Sequence, residues 1–215
     1  MSSILEGPFT CIIAGPTGCG KTQLVMKLLR YYKQMITPTP NRILWFYAIH
    51  QQQNFNTMKK LGVEFHEGVP YIDLIQTNPS THTVVVIDDL MAETNSEIMN
   101  IFTKGSHHKN ISCFYLTQNL YYGGKHNRTM NLNTHYMFLF KNPRDSTQIQ
   151  VLSRQMFPHN SRYLEEAFFD ATSSDAHSYL FIDLKNATDD KLRLRTRIFP
   201  DDYPYHYVYV PKTAI

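Results

Sequence analysis

Eight consecutive residues, Gly15-Pro16-Thr17-Gly18-Cys19-Gly20-Lys21-Thr22, match the pattern G-x-x-x-x-G-K-[ST] in full. An apolar run, Phe9 to Ala14, precedes them, and behind them Leu24, Val25, Leu28, Leu29, Tyr32, Met35 and Ile36 recur at helical spacing. In a strand-loop-helix context, glycines let successive backbone N–H groups converge on phosphate oxygens. The helix N-terminus adds partial positive charge. Lys21 would then reach the β and γ phosphates of a nucleotide, and Thr22 would ligate Mg²⁺. The bland alternative is a chance match in a glycine-rich turn, which the flanking strand and helix oppose. Cys19 reads as a small loop residue rather than a redox thiol.

A second group of residues has matching chemistry. Val84-Val85-Val86-Ile87-Asp88-Asp89 reads as a buried strand ending in two carboxylates, a Walker B pattern. Strands apolar on both faces lie inside parallel sheets, and ligands bind at their C-terminal ends. Asp88 is expected in the magnesium shell and Asp89 is expected to orient the attacking water, with Glu93 as the rival base. The alternative is an aspartate pair that merely caps the next helix. Ile111 to Thr117 is another apolar strand, and Gln118 behind it is placed to sense the γ phosphate. The alternative is that Gln118 and Asn119 only satisfy strand-end backbone groups.

These residues need a scaffold, and the apolar pattern supplies one. Short runs at Phe9 to Ala14, Ile43 to Ala48, Thr83 to Ile87, Ile111 to Thr117 and Tyr136 to Phe140 alternate with helical stretches, which predicts an α/β fold around a mostly parallel sheet. The helix after Thr22 is expected to run to Ile36 and stop at Thr37-Pro38-Thr39-Pro40. Further helices are expected from Asn95 or Ser96 to Gly105, from Ser146 to Met156 and from Ser161 to Ala171. Tyr179 to Leu184 and the alternating Leu192 to Phe199 read as added C-terminal strands. No repeat or linker divides the chain, so residues 1–215 are expected to form one domain, with its core at about 9–199 and a strand-bearing tail at about 178–215.

Composition narrows the class. In 215 residues, 21 basic and 18 acidic side chains give a net charge of +3, so no polybasic tail announces a nucleic-acid or membrane partner. Aromatic residues at 13% are too many for a disordered chain. Cys11, Cys19 and Cys113 are odd in number and widely spaced, which indicates neither a disulfide framework nor a zinc knuckle. The N-terminal segment lacks a secretory pattern and the longest apolar run, Ile43 to Ile49, is too short to span a bilayer. An intracellular, soluble protein is expected. His107-His108 has no third ligand nearby and reads as a loop or helix end. Lys191, Arg193, Arg195 and Arg197 alternate with apolar residues, so they read either as a DNA-facing stripe or as a solvated strand face. Tyr205, Tyr207 and Tyr209 alternate too, which reads as packing or docking against a neighbour rather than as stacking on bases.

Taken together, Gly15 to Thr22, Val86-Ile87-Asp88-Asp89-Leu90-Met91, Lys104 to Ser112 followed by Leu116-Thr117-Gln118-Asn119-Leu120, and Phe140-Lys141-Asn142-Pro143-Arg144-Asp145 resemble the poxvirus-like genome-packaging ATPases of the FtsK/HerA superfamily. The likeness is strongest to those of Polinton/Maverick elements and related double-stranded DNA viruses. It extends from Phe9 to about Phe199, and its narrowest block is Lys104 to Asp145. The resemblance implies a P-loop NTPase with a RecA-like core, a strand inserted between the phosphate-loop and Walker B strands, and a sheet order near 5-1-4-3-2. It further implies a homo-oligomeric ring of five or six subunits, ATP and Mg²⁺ as cofactors, and translocation of duplex DNA into a preformed capsid. Portal or capsid proteins would be partners and the viral assembly site in the host cell its location. In such rings a neighbour's arginine completes the site. Arg128 and Arg144 are the candidates, with Arg154 behind them and Lys109 in the segment before the sensor strand. No nuclease domain is expected within this length. Two other readings stay open: a superfamily 3-like replicative helicase with Asn119 at the strand end, and an ATP-gated assembly or scaffold protein.

Overall fold

A computed structural model describes residues 4–48, 52–75, 78, 80–88, 90, 96–106, 109–121, 125–202 and 206–212. Its strands are β1 (Leu5–Glu6), β2 (Thr10–Ala14), β3 (Ile36–Thr37), β4 (Arg42–Tyr47), β5 (Val63–Glu67), β6 (Thr83–Asp88), β7 (Ile111–Thr117), β8 (Tyr136–Phe140), β9 (Tyr179–Asp183), β10 (Leu194–Thr196) and β11 (Tyr207–Tyr209). Nine of them form one mixed sheet in the order β11-β10-β9-β8-β2-β7-β6-β4-β5. Every pairing from β8 across to β5 is parallel, and β9, β10 and β11 join antiparallel. The five strands read from the sequence lie side by side as β8-β2-β7-β6-β4. Beyond them stand β5 on one edge and the three antiparallel strands on the other.

β2, β6, β7, β8 and β9 are buried along their whole lengths, because helices cover both faces of the sheet. Alternation then splits the apolar residues between two cores. One face packs Ile12, Ile87, Phe102, Leu139, Leu152 and Leu164. The other packs Phe9, Ile13, Leu28, Trp45, Phe114 and Phe138.

Two expectations about element boundaries are corrected. The helix after the glycine loop spans Lys21–Arg30, followed by a single turn, Tyr32–Met35. Ile36 and Thr37 are not helical: they form β3, which pairs in parallel with β1 (Leu5↔Ile36, Glu6↔Thr37). Thr37 precedes Pro38, which disfavours helical backbone there, and Ile36 is fully covered as a strand residue. Likewise Leu192 to Phe199 yields only the three-residue β10. Asp189 accepts the Lys191 N–H at 2.9 Å to open a 3₁₀ turn at Asp190–Leu192, and Arg197 ends the strand at φ 52°.

The helix Ser96–Asn100 passes into a π-helical turn, Ile101–Gly105. Helices Thr147–Met156 and Ser161–Ala171 match their predicted spans, and Lys125–Leu132 forms another helix. Among the described residues no helix is long and apolar enough to cross a membrane.

Candidate functional site

Register brings the chemistry to one edge. Ala14 sits opposite Thr117 and Leu139, and Asp88 opposite Leu116, so β2, β6, β7 and β8 end together. The chain leaves β2 with the Gly15 N–H donating to the Thr117 carbonyl at 3.2 Å. A Cβ on Gly15 would lie 2.6 Å from Phe140 Cβ and 2.7 Å from Cys19 Sγ, so a side chain there does not fit. Gly20 caps the helix Lys21–Arg30 at φ 108°, in the left-handed region where glycine is unstrained.

The Lys21 ammonium donates to the carbonyls of Gly15 (2.7 Å) and Pro16 (3.0 Å), which centres the cation on the loop. One residue on, the Thr22 hydroxyl donates to Asp88 Oδ2 at 3.3 Å, joining residues 66 apart in sequence. Asp88 is buried at the end of β6. A hydroxyl and a carboxylate converging at this distance are hard oxygen donors of the kind Mg²⁺ takes one or two of, with phosphate oxygens and waters completing its octahedron. Among the described residues no group of three or more His, Cys, Asp or Glu side chains could hold a metal without such help.

Burial pushes the Cys19 thiol above its usual pKa, against the pull of the nearby Lys21 charge, so it is a packed loop residue and no activated nucleophile. From the far side of the loop, His177 Nδ1 donates to the Cys19 carbonyl at 3.0 Å, and the His177 N–H donates to Asp175 Oδ1 at 2.7 Å.

Gln118 follows β7 directly and lines a small cleft of about 20 Å³ with Gly15, Asn142, Asp145 and Gln148. The turn that carries it is held by side chains. Thr117 Oγ1 donates to the Asn119 carbonyl at 3.0 Å, and Asn119 Oδ1 accepts the Tyr121 N–H at 2.9 Å. Gln148 Oε1 accepts the Leu120 N–H at 2.8 Å, while its amide donates to Asp145 Oδ2 at 2.6 Å. That hydrogen bond, with others from Thr147 and Gln148 backbone, holds the Asp145 carboxyl below the usual carboxylate range.

Asp89, Glu93, His107 and His108 lie outside the described residues. Arg128 belongs to the helix Lys125–Leu132. Arg144 is exposed in the turn after β8, on the same edge as the glycine loop, with its N–H on Asn142 Oδ1 at 3.1 Å. Arg154 is exposed on the helix Thr147–Met156. Lys109 precedes β7 and so stands at the opposite edge of the sheet.

The basic residues of the tail do not form one solvent-facing row. Arg193 donates to the carbonyls of Asp183, Lys185 and Thr188 and to Asp190 Oδ1. Arg195 pairs with the buried Asp183 at 3.1 Å and lies over the Phe181 ring at 5.1 Å. Lys191 and Arg197 are exposed. Two of the four cations thus serve the fold.

Sequence reasoning missed His177, Asp145 and Gln148. Asp145 and Gln148 had a signal in their helix-start spacing, D-x-x-Q. His177 had none, since its contact spans 158 residues. No protein-family model matches this chain, and no curated protein matches it.

Proposed function

We propose that this protein is a Mg²⁺-dependent P-loop ATPase with a RecA-like core, and that it is a ring motor translocating double-stranded DNA into a preformed viral capsid. The observation that carries the ATPase reading is the Thr22–Asp88 contact beside the Lys21-bearing loop. Loop N–H groups and Lys21 bind the phosphates, and Thr22 and Asp88 hold the metal. Magnesium, when bound, neutralises charge developing between the β and γ phosphates. A cleft of about 20 Å³ between Gly15 and Gln118 fits one water, which suits Gln118 to orienting a nucleophile. Asp89, or Glu93 in its place, takes the base role, and Arg128 or Arg144 of a neighbouring subunit supplies the finger.

The motor reading rests on the resemblance of the Lys104 to Asp145 block, and so do the ring of five or six copies, the portal or capsid partners and the viral assembly site. Against the helicase reading, Asn119 Oδ1 is engaged by the Tyr121 N–H. ATP turnover with and without DNA, with Lys21→Ala as control, tests the proposal. Stimulation by duplex DNA is expected. Stimulation by single strands alone would favour a helicase, and absence of turnover under every condition would leave an ATP-gated assembly protein.

A further inference from the structure

The glycine loop has two flanks of very different capacity. On the Gln118 side the cleft of about 20 Å³ holds no more than a water. On the His177 side a cleft of about 490 Å³ opens directly from Gly20 and Gln23, within the range of small-molecule sites. Its strand-side wall is aromatic, built by Tyr179, Phe199 and Tyr207. The rest of the lining includes the carboxylates Asp170, Asp175 and Asp202, engaged by Tyr209, the His177 N–H and Lys27, and Arg197, whose guanidinium lies over the Tyr207 ring at 5.1 Å. β9 and β10, the segment after β10 and β11 supply this wall, and all of it lies outside the six parallel strands that position the phosphate-binding residues.

We infer that this cleft takes the nucleobase and sugar of the nucleotide whose phosphates the loop holds, with Tyr207 and Arg197 stacking on the base. The inference rests on the nucleotide reading above and adds the place and chemistry of the nucleoside end. A triphosphate seated on Lys21 and Thr22 must direct its esterified end along one flank. Of the two clefts that the described residues form beside the loop, the one on the His177 side has room for an aromatic base, and Gln23, the residue after Thr22, lines it. Flat π faces and a guanidinium plane bind a base by stacking. The polar side chains near the loop, Gln23 and the Nε2 side of His177, suit sugar hydroxyls. The antiparallel tail is thus part of the ligand site.

The experiment compares Mg-ATP with inorganic tripolyphosphate, which has the phosphates and no nucleoside, by titration calorimetry on the full chain. Tyr207→Ala and Arg197→Ala are expected to weaken ATP about tenfold, the value of a lost base stack, and to leave tripolyphosphate affinity unchanged. Tyr207→Phe should restore ATP binding, because the ring is what stacks. Lys21→Ala should lose both ligands. Unchanged ATP affinity in both alanine variants, with loss in Lys21→Ala, would overturn the cleft assignment while keeping the nucleotide site. Loss of tripolyphosphate along with ATP in those variants would also overturn it, by showing a role in the loop or the fold. Full ATP binding by Lys21→Ala would overturn the nucleotide reading itself.

Discussion

Gln148 Oε1 accepts the backbone N–H of Leu120 at 2.8 Å, fastening the turn behind Gln118 to the first turn of the helix Thr147–Met156. Replacement by alanine leaves a buried N–H without its acceptor, which costs roughly 1–3 kcal/mol. Gln148→Ala is therefore expected to melt several degrees lower. With the turn behind Gln118 loosened, kcat of the proposed ATPase should fall more than KM rises, and steady-state kinetics beside a thermal melt will show both.

Thr22 and Asp88 act as one unit in the proposed metal site. Asp88→Asn is expected to lower turnover at least tenfold and to abolish the gain in ATP affinity that Mg²⁺ gives the parent protein. Thr22→Ser keeps the hydroxyl and should stay near parental activity, whereas Thr22→Ala should behave like Asp88→Asn. ATP titrations with Mg²⁺ and with EDTA separate these outcomes. Equal Mg²⁺ dependence in Asp88→Asn and the parent would remove Asp88 from the metal shell.

Glycine is required at Gly15 for space and at Gly18 for backbone conformation. A Cβ at Gly15 meets Phe140 and Cys19 below 3 Å, so Gly15→Ala should disrupt the loop and lose nucleotide binding. Gly18 has φ 79° with open space around it, so Gly18→Ala should cost only the left-handed backbone penalty, roughly 1–2 kcal/mol. Chemical denaturation compares the two.

His82 makes the fold sensitive to acid. Its Nδ1 faces the Pro38 carbonyl at 2.7 Å, an acceptor only, so Nδ1 carries the hydrogen and Nε2 accepts the Ser112 hydroxyl at 2.7 Å. Burial holds its pKa below the ordinary histidine value, despite the Pro38 hydrogen bond that raises it. The unfolded chain therefore takes up the proton first. This contribution to stability is fully present above the unfolded pKa of about 6.5 and is lost as pH falls from there through the lower folded pKa. Urea midpoints from pH 8 to 5.5 should show a steeper decline for the parent than for His82→Asn. Parallel curves would refute this assignment.

The Arg195–Asp183 pair predicts a folding defect where the sequence suggested a DNA contact. Arg195→Met takes the paired cation from a carboxylate that is 3% exposed and still accepts the Lys185 N–H, at a cost of roughly 3 kcal/mol. The fitting probe of a DNA path is Lys191→Glu on the exposed surface, read from the salt dependence of duplex binding.

Much of this architecture was legible because it is local and periodic. The glycine loop, the Val84 to Asp88 strand and the helices 147–156 and 161–171 each declare themselves in short windows of residue types. What escaped depends on contacts distant in sequence. Ile36 looked helical by spacing, but its pairing with Leu5 made it a strand. Arg193 and Arg195 looked like a cationic face, yet Asp183 and a ring of carbonyls claim them. His177 carries no motif at all, and only the antiparallel β9, which follows it, brings its ring against Cys19.

The position of β2 at the middle of the sheet bears on the order of folding. Its backbone is held by Ser112, 103 residues after Phe9, and by His135, 125 residues after Thr10. Both neighbours, β7 and β8, emerge from the ribosome long after the glycine loop does. Contacts of such sequence separation form late, since chain closure must come before their gain. A nascent chain stalled before residue 111 would carry the whole Gly15 to Thr22 motif on a strand lacking both β7 and β8, so if the loop binds nucleotide as proposed, capture is expected only after both strands have been made.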